Sequence, residues 1–413
     1  MSEVKLIPAI YLYNGKAVDK NTKEIIEDGD AVKFATAFDN NGADEMLVFD
    51  LSASDSEHEA NISTMIQIAD NVDIPMIVGG NVKRLEDVKK YIYTGAKKAI
   101  LCSETNMELL KEAADRFGSE NIALYVGDEN LNLDSDNIKP YISLVVTDNP
   151  SVTTDIPVLI QNDIDISDSC SYSDFYGICT DKFDVYFDFM NLKSDLKASG
   201  IEVNVFESPM AFSDFKTNSD GMIPVIVQDY KTEQVLMLAY MNEEAFNLTI
   251  KTGKMTYFSR SRNELWVKGE TSGHYQYVKE LSMDCDLDTM LAKVRQIGVP
   301  CHTGADTCFF NNLVKKEYDD TNPMKVFEDV YHVILDRKVH PKEGSYTNYL
   351  FDKGIDKILK KVGEEATEIV IAAKNPDAQE VKYEISDFLY HVMVLMAEKG
   401  VTWKEITKEL SRR

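Results

Sequence analysis

Pro75-Met76-Ile77-Val78 is followed by a helical stretch, Arg84–Thr94, and then by a second apolar run, Lys98–Leu101. This strand–helix–strand order predicts two parallel strands joined by a crossover helix. The same alternation extends over the first half of the chain, with apolar runs at Lys5–Ile10, Glu45–Phe49 and Ile122–Val126 and helical stretches at Asp30–Asn40 and Met107–Phe117. We therefore predict an α/β domain over residues 1–213.

The α/β pattern weakens beyond Asp128, where the sequence becomes rich in Asn, Asp and Ser. Short strands are predicted there at Ile142–Val146, Pro157–Ile160, Phe175–Cys179 and Ile201–Val205. From Gly221 most of the apolar segments have the pattern of strands, and a mainly-β α+β domain is predicted over residues 214–312. Its strands are Pro224–Gln228, Val235–Tyr240, Thr256–Ser259, Glu264–Lys268 and Tyr275–Ser282, with one helix, Asn242–Thr252, capped by Asn242.

The last part of the chain is predicted to be helical. Residues 313–324 are polar, contain Asn322-Pro323 and have the composition of a linker. Helical periodicity continues almost without interruption from Val326 to Arg413, which indicates an all-α domain over residues 325–413. The sequence thus predicts a multidomain protein with three domains.

The net charge of −26 is unevenly distributed. Residues 1–213 hold 17 Lys and Arg against 38 Asp and Glu, so nucleic acid and anionic membranes are not expected partners of the first half. No apolar run is long enough for a membrane span, and the residues after Met1 lack the pattern of a signal peptide. A cytoplasmic protein with reduced cysteines is therefore expected.

Three cysteines, Cys285, Cys301 and Cys308, are the strongest candidates for chemistry. Three thiolates form a zinc site with one position open to water, which is typical of catalytic zinc. Asp284, Asp286 and Asp288 alternate around Cys285 and offer the oxygen ligands that magnesium prefers. The alternative is three unrelated buried thiols, since cysteine often acts as a small apolar residue.

Two neighbouring segments carry groups suited to a phosphate and a ribose. The candidate substrate ligands are Arg260, Arg262, Lys268, Thr271, Ser272 and Gly273. For the two arginines, a solvated strand edge is the competing interpretation. Together with Leu236–Asn242, Asp284–Asp288 and Cys301–Cys308, these segments make Gly221–Asn312 resemble the phosphoribosyl-AMP cyclohydrolases of histidine biosynthesis.

This resemblance implies that Cys285, Cys301 and Cys308 hold zinc, with ligands contributed by two chains of a homodimer. It also implies that Asp284, Asp286 and Asp288 bind magnesium, and that water opens the adenine ring between N1 and C6. His302 is the expected proton shuttle, because its ordinary pKa of about 6.5 suits proton transfer near neutral pH. A packed histidine without a catalytic role is the alternative.

Carboxylates lie at helical spacing in the last domain: Glu364, Glu365 and Glu368, and later Glu384 and Asp387. Their apolar neighbours favour a magnesium site over solvated acidic faces, and Arg337 and Lys361 are candidates to bind a polyphosphate. Lys361–Glu368 and Tyr383–His391 make Val326–Arg413 resemble phosphoribosyl-ATP pyrophosphohydrolases. The resemblance implies that Glu365 and Glu368 are catalytic and that the reaction releases pyrophosphate. The alternative is that this domain is a general nucleotide pyrophosphohydrolase.

Ile7–Ile10, Phe49–Ala53 and Ile74–Gly80 make residues 5–127 resemble the histidine-pathway (β/α)₈ barrels, especially the cyclase subunit of imidazole glycerol phosphate synthase. That family's two catalytic aspartates align with Tyr11 and near Gly127. A tyrosine, with a pKa of about 10, is a poor base near neutral pH. We therefore predict a shortened, degenerate TIM-like barrel without activity. An active third enzyme, or a module that senses a metabolite or docks a partner, remains as an alternative.

Overall fold

The protein is described by a computed structural model covering residues 3–102, 107–127, 135–149, 152, 154–161, 175–319, 321–323, 325–376 and 378–411. Two compact units are present, Met1–Asn312 and Leu313–Arg413. In the described part of the chain, none of the helices combines the length and the apolar character needed to cross a membrane.

The first unit begins with a closed barrel of eight parallel strands, which confirms the predicted barrel. Its strands are β1 (Lys5–Tyr13), β3 (Met46–Asp50), β4 (Met76–Gly80), β5 (Lys98–Cys102), β6 (Ile122–Val126), β7 (Leu144–Thr147), β8 (Val158–Gln161) and β9 (Phe175–Thr180). A short strand, β2 (Lys16–Val18), pairs antiparallel with β1. β9 pairs with β8 and with β1, where Lys5 lies opposite Gly177, and this last pairing closes the barrel.

The barrel helices are α1 (Ala31–Asn40), α2 (Asp55–Asn71), α3 (Leu85–Tyr93), α4 (Met107–Phe117), α5 (Ser135–Ile138) and α6 (Phe189–Ala198). Local caps start several of them; Ser54, for example, forms a capping box with Glu57 at the start of α2. The connection from β7 to β8 spans only residues 148–157, whereas a crossover between parallel strands normally needs about a dozen residues or more. The barrel is therefore shortened in its second half.

Alternate residues of each strand face opposite sides, as strand geometry requires. Leu47 and Ile77 point into the barrel, while Met46 and Val48 pack outward against the helices. Both sides are buried, which explains why these parallel strands appear in the sequence as continuous apolar runs.

The central part of the first unit is a four-stranded sheet in the order β11-β10-β15-β14. Its strands are β10 (Ile223–Asp229), β11 (Val235–Met241), β14 (Gln276–Met283) and β15 (Met290–Gln296), and a separate hairpin joins β12 (Thr256–Ser259) to β13 (Glu264–Val267). Helix α7 (Glu243–Thr252) begins at Asn242, whose side chain accepts a hydrogen bond from the Ala245 N–H, as predicted.

Two strand assignments differ from the sequence prediction. Ile201–Val205 is not a strand, and only Val203 forms an isolated bridge, to Val4. Strand β15, with the sequence MLAKVRQ, was not predicted. It alternates buried and half-buried residues and pairs with β10 and β14. Whether such a segment forms a strand depends on the strands that lie beside it in the folded protein, which explains both differences.

The second unit consists of helices α8 (Val326–Val339), α9 (Tyr346–Lys353), α10 (Ile355–Ala372), α11 (Ala378–Lys399) and α12 (Trp403–Leu410). Their small core is formed by Tyr331, Ile334, Leu350, Ile358, Met393, Val394, Met396 and Ala397. The predicted all-α character of this part of the chain is confirmed.

Candidate functional site

Cys301 and Cys308 lie side by side next to the edge strand β11. The Cys308 N–H donates to the Leu236 carbonyl at 2.7 Å, and the Thr307 hydroxyl donates to the Val235 carbonyl at 2.8 Å. The Thr303 hydroxyl lies 3.0 Å from the Cys301 sulfur and lowers the pKa of that thiol. Burial, and then the hydrogen bond with Cys301, raise the pKa of the Cys308 thiol. Cys301 is therefore the thiol of this pair that loses its proton more readily.

Cys285 lies on a different loop, between β14 and β15, and is exposed. Groups of three possible metal ligands within 4.8 Å of one another occur twice among the described residues, and neither group contains a cysteine. One chain therefore brings together two of the three predicted zinc ligands and leaves Cys285 apart from them.

The loop that carries Cys285 gathers its three aspartates. One oxygen from each of Asp284, Asp286 and Asp288 lies within 4.8 Å of the others, and all three residues are exposed. The Asp284 carboxylate accepts the N–H groups of Asp288 at 3.0 Å and Thr289 at 3.2 Å. Leu287 adopts a left-handed conformation, with φ of 64°, that turns the chain between them. This donor set fits a cation that prefers oxygen ligands.

The predicted substrate ligands have different surroundings. The Arg260 guanidinium lies 3.8 Å from the centre of the Tyr240 ring, whereas Arg262 pairs with Glu264 at 2.8 Å, both side chains being more than half exposed. The Lys268 ammonium donates to the Pro300 carbonyl, beside the cysteine pair. Burial lowers the pKa of Lys268, and the nearby thiols of Cys308 and Cys301 oppose that effect.

Thr271, Ser272 and Gly273 form an exposed turn after β13. The Ser272 hydroxyl accepts the His274 N–H at 3.2 Å, and a side chain at Gly269 would collide with the backbone of Tyr275. His302 follows Cys301 and is exposed. The His274 ring, which the sequence analysis did not single out, packs against Gly298, where an added Cβ would lie 2.6 Å from the ring. The sequence feature that could have drawn attention to His274 is its position directly after the Thr271–Gly273 turn.

Tyr11 lies near the carboxyl end of barrel strand β1, at the position where the sequence resemblance leads us to expect a catalytic aspartate. Tyr11 is buried, its hydroxyl is hydrogen-bonded to the Gln161 side chain, and its ring packs against Phe49. Burial, reinforced by Cys179, raises the pKa of Tyr11. Gly127 has no side chain to offer at the second position. The barrel end is thus filled by a neutral phenol.

The second unit brings together Glu365, Glu368 and Glu384, whose oxygens lie within 4.8 Å of one another. Glu365 is only 4% exposed and pairs with Lys361 at 2.9 Å. The pKa of Lys361 is raised by its hydrogen bonds to Glu365 and Glu364. Repulsion from Glu365 raises the pKa of Glu368. Such mutual repulsion at a partly buried site is what a divalent cation would relieve.

Three other predicted residues lie outside this group. Glu364 pairs with Lys360 at 3.1 Å and Lys361 at 2.9 Å. Asp387 is one helical turn after Glu384, and its carbonyl accepts from His391 at 2.8 Å. Arg337 pairs with Asp336 at 2.7 Å.

His391 is a site residue that the sequence analysis missed. It is 5% exposed; its Nε2 lies 3.0 Å from the Tyr346 hydroxyl and its Nδ1 3.7 Å from Glu365. The sequence signal was its place in the Tyr383–His391 segment, one turn beyond Asp387. His391 therefore contacts the glutamate cluster on its buried side, at Glu365, and Tyr346 in turn contacts His391.

Comparison with known families matches three segments of the chain. A family described as "Phosphoribosyl-AMP cyclohydrolase" matches residues 237–310, and one described as "Phosphoribosyl-ATP pyrophosphohydrolase" matches residues 327–413. A family described as "Histidine biosynthesis protein" matches residues 5–148, within the barrel.

Curated relatives carry the two hydrolase domains together. "Histidine biosynthesis bifunctional protein HisIE" of Thermoanaerobacter pseudethanolicus is 51% identical over 209 residues, which cover 48% of this chain and 97% of that protein. The protein of the same name from Bacillus subtilis is 44% identical over 200 residues, covering 48% and 95%. The chain therefore belongs to the family of HisIE bifunctional histidine biosynthesis enzymes, which combine a cyclohydrolase with a pyrophosphohydrolase, and it carries a histidine-biosynthesis barrel in addition.

Proposed function

We propose that residues 325–413 hydrolyse phosphoribosyl-ATP to phosphoribosyl-AMP and pyrophosphate, and that residues 214–312 then open the adenine ring of phosphoribosyl-AMP in a zinc-dependent hydrolysis. The observation that carries this proposal is the Cys301–Cys308 pair beside Lys268, with Cys285 on a separate exposed loop. Thiols are the ligands that zinc prefers, and three of them leave one position open for water.

The third ligand is proposed to come from a second copy of the chain. Within one chain, Cys285 does not join the other two thiols in a three-ligand group. Exposed apolar residues lie close in sequence to Cys308 and to its backbone partner Leu236: Phe309 is 60% exposed, Phe310 49% and Leu238 44%. An apolar surface of this kind beside an incomplete metal site favours contact with another subunit. A homodimer with zinc ligands shared between chains follows.

The residues of the cyclohydrolase site have distinct roles in this proposal. Cys285, Cys301 and Cys308 would hold zinc, which supplies a Lewis acid and makes water nucleophilic near neutral pH. His302, exposed next to Cys301, moves protons between the ring and solvent. The phosphates and ribose contact Arg260, Arg262, Lys268 and the turn Thr271-Ser272-Gly273. Asp284, Asp286 and Asp288 would hold magnesium against a substrate phosphate.

The pyrophosphohydrolase site is built around the partly buried cluster of Glu365, Glu368 and Glu384. Glu365, Glu368 and Glu384, with Asp387, would hold magnesium, which neutralises polyphosphate charge and polarises the phosphorus being attacked. Glu364, which pairs with Lys360 and Lys361, lies at the border of this site and is not assigned to the metal. Glu365 and Glu368 orient the attacking water, and Lys361 and Arg337 bind the phosphates. His391 and Tyr346 keep Glu365 in position through the contacts described above.

A subunit-mixing experiment tests the shared zinc site. Cys285→Ser and Cys308→Ser homodimers should each lose zinc and the cyclohydrolase step while still releasing pyrophosphate from phosphoribosyl-ATP. After the two variants are unfolded together and refolded at equal amounts, half the dimers are mixed and each has one intact site. About one quarter of wild-type cyclohydrolase activity should return, as twofold symmetry requires.

Cys179→Ala is the matched control, because Cys179 is buried in the barrel interior and should affect neither zinc content nor either activity. If mixing restores no activity although mixed dimers form, all three ligands come from one chain or the thiols do not bind zinc. Zinc content measured in each homodimer separates these two explanations.

A further inference from the structure

The barrel contacts the central sheet through two of its aspartates. The Asp39 carboxylate, 1% exposed, accepts from the Arg295 guanidinium at 2.5 Å and from the Asp73 N–H at 2.9 Å. Arg295 also donates to the Asn71 carbonyl at 2.7 Å. We call Asp39 and Asp73, with the basic and phenolic groups they meet, the junction.

Asp73 is the second anchor of the junction. It accepts from the Tyr230 hydroxyl at 2.6 Å and pairs with Lys279 at 3.0 Å and Lys231 at 3.1 Å. Burial alone would raise the pKa of the Asp73 carboxyl, but the hydrogen bonds from Tyr230 and Lys279 outweigh it and hold that pKa below its usual range. Asp73 is therefore ionised, and its charge is matched by cations from the other domain.

The junction residues Lys279 and Arg295 lie on β14 and β15, towards the end of this hairpin that is opposite its connecting loop, residues 284–289, which carries the three aspartates. The β14–β15 register shifts between Val278 and Glu280, so Lys279 is the extra residue of a β-bulge. Bulges redirect a side chain and are common beside active sites. Here the bulge leaves Val278 in the core of the central sheet while Lys279 reaches the barrel.

The loop itself is held directly by the segment that connects the barrel to the sheet. The Lys216 N–H donates to the Leu287 carbonyl at 2.7 Å, and the neighbouring Phe212 and Phe215 are buried against Phe246. Leu287 has the left-handed conformation that non-glycine residues adopt only when their surroundings hold them there.

Three carboxylates gathered within 4.8 Å repel one another, so a loop of this composition tends to open in the absence of a cation. Contacts that hold the loop in place before the metal binds reduce the entropy cost of ordering it on binding. The contacts lie at the ends of α1 and α2, the amino-terminal side of the barrel, where residues of barrel enzymes contribute to stability.

We propose that the barrel acts as a positioning domain for the cyclohydrolase, in which Asp39 and Asp73 hold the β14–β15 hairpin so that its aspartate loop is ordered before the metal binds. This inference rests on the proposed function in one respect, the assignment of the aspartate loop as a magnesium site. Asp39 and Asp73 are positioning residues, since they act through Arg295 and Lys279 and not on the substrate.

The test uses the full chain with Asp73→Asn, and with Asp39→Asn and Asp73→Asn combined. Hydrogen exchange of the metal-free protein should show faster exchange of the amides of Leu287, Asp288 and Thr289 in the combined variant. The magnesium concentration for half-maximal cyclohydrolase activity should rise, because a loop that is ordered only part of the time binds the metal with an affinity reduced by that fraction. Turnover at saturating magnesium and pyrophosphate release should stay near the wild-type level.

Asp50→Asn is the matched control for damage to the barrel itself. Asp50 is a fully buried barrel carboxylate held by His58, Asn61 and Tyr91, on the opposite end of its strand from the junction. This variant should speed exchange within the barrel and leave the aspartate loop and its magnesium requirement unchanged. An equal effect of Asp50→Asn, or unchanged loop exchange in the combined junction variant, overturns the inference.

Asp286→Asn separates the two proposals. If it leaves the magnesium requirement of the cyclohydrolase unchanged, the loop is not the metal site and the proposed function fails at that point. If it raises the requirement while the combined junction variant changes neither the requirement nor the loop exchange, only the positioning role fails. In a double-mutant cycle, Asp73→Asn should change the magnesium requirement and the loop exchange little further once Lys279→Met is present.

Discussion

Glu364 and Glu365 are neighbours in the sequence with different surroundings. Glu365 is buried and lies with Glu368 and Glu384, whereas Glu364 turns towards Lys360 and Lys361 on the helix surface. Hydrogen bonds from Lys361 and Lys360 lower the pKa of Glu364 to about 2. An exposed pair of this kind contributes little to stability.

These surroundings predict different effects of the same substitution. Glu365→Gln should lower pyrophosphate release by about 100-fold or more, the loss typical when a charge-stabilising group is removed from an active site. Glu364→Gln, the matched control, should lower it by less than about threefold. Both variants should still convert supplied phosphoribosyl-AMP. Equal losses in a pyrophosphate-release assay would place Glu364 among the metal ligands.

At the scale of elements, the β14–β15 hairpin meets α1 and α2 through charges rather than an apolar surface. Tyr230, Lys231 and Lys279 face Asp73, and the hydrogen bonds from Tyr230 and Lys279, together with the charges of Lys279 and Lys231, lower its pKa in the folded protein. A carboxyl with a lowered folded-state pKa stabilises the fold above its unfolded-state pKa. That stabilisation is lost as the pH falls through the folded-state value.

The junction should therefore be insensitive to pH near neutrality and weaken in acid. Asp73→Asn should destabilise the first unit by on the order of 1–2 kcal/mol at both pH 7 and pH 5, and by progressively less below about pH 4. Urea unfolding followed by Trp266 fluorescence, in a Trp403→Phe background, measures this unit alone. A difference between the proteins that grows on acidification would contradict the sign of the shift.

At the scale of the whole molecule, two hydrolase domains accompany a barrel whose catalytic end is filled. Tyr11, Phe49 and Gln161 occupy the position from which an aspartate would act, and the phenol is kept neutral by burial. Among the described residues, the contacts of the barrel with Tyr230, Lys231, Lys279 and Arg295 are instead made on its other end.

The purified protein should show no isomerase or cyclase turnover, and Tyr11→Asp should not create it. Each positioned acid or base contributes about 10²–10⁴-fold, and Gly127 leaves the second one missing. A carboxylate at position 11 would also be buried and repelled by Asp181 and Asp148, so this variant should unfold at a lower temperature than the Tyr11→Phe control. Measurable turnover by the wild-type barrel would overturn this prediction.

Features that depend on nearby residues were predictable from the sequence alone. Asn242 caps α7 because its side chain reaches an amide three residues away. Glu365 and Glu368 share a helix face through their spacing, and the aspartates of Asp284–Asp288 meet within one short loop. Continuous apolar runs likewise indicated the barrel strands, because a strand buried on both sides is apolar at nearly every position.

Contacts between distant segments were decided only by the tertiary structure. The family resemblance predicted that Glu384 joins Glu365 and Glu368, but residue spacing alone does not show it, since their meeting depends on how α10 and α11 pack. Arg295 and Asp39 are separated by 256 residues, and each alone has the pattern of an ordinary surface charge. Helical spacing and capping involve residues only a few positions apart, so they can be recognised in a short stretch of sequence. The pairing of β15, the closure of the barrel and the junction depend on which surfaces meet when the whole chain packs.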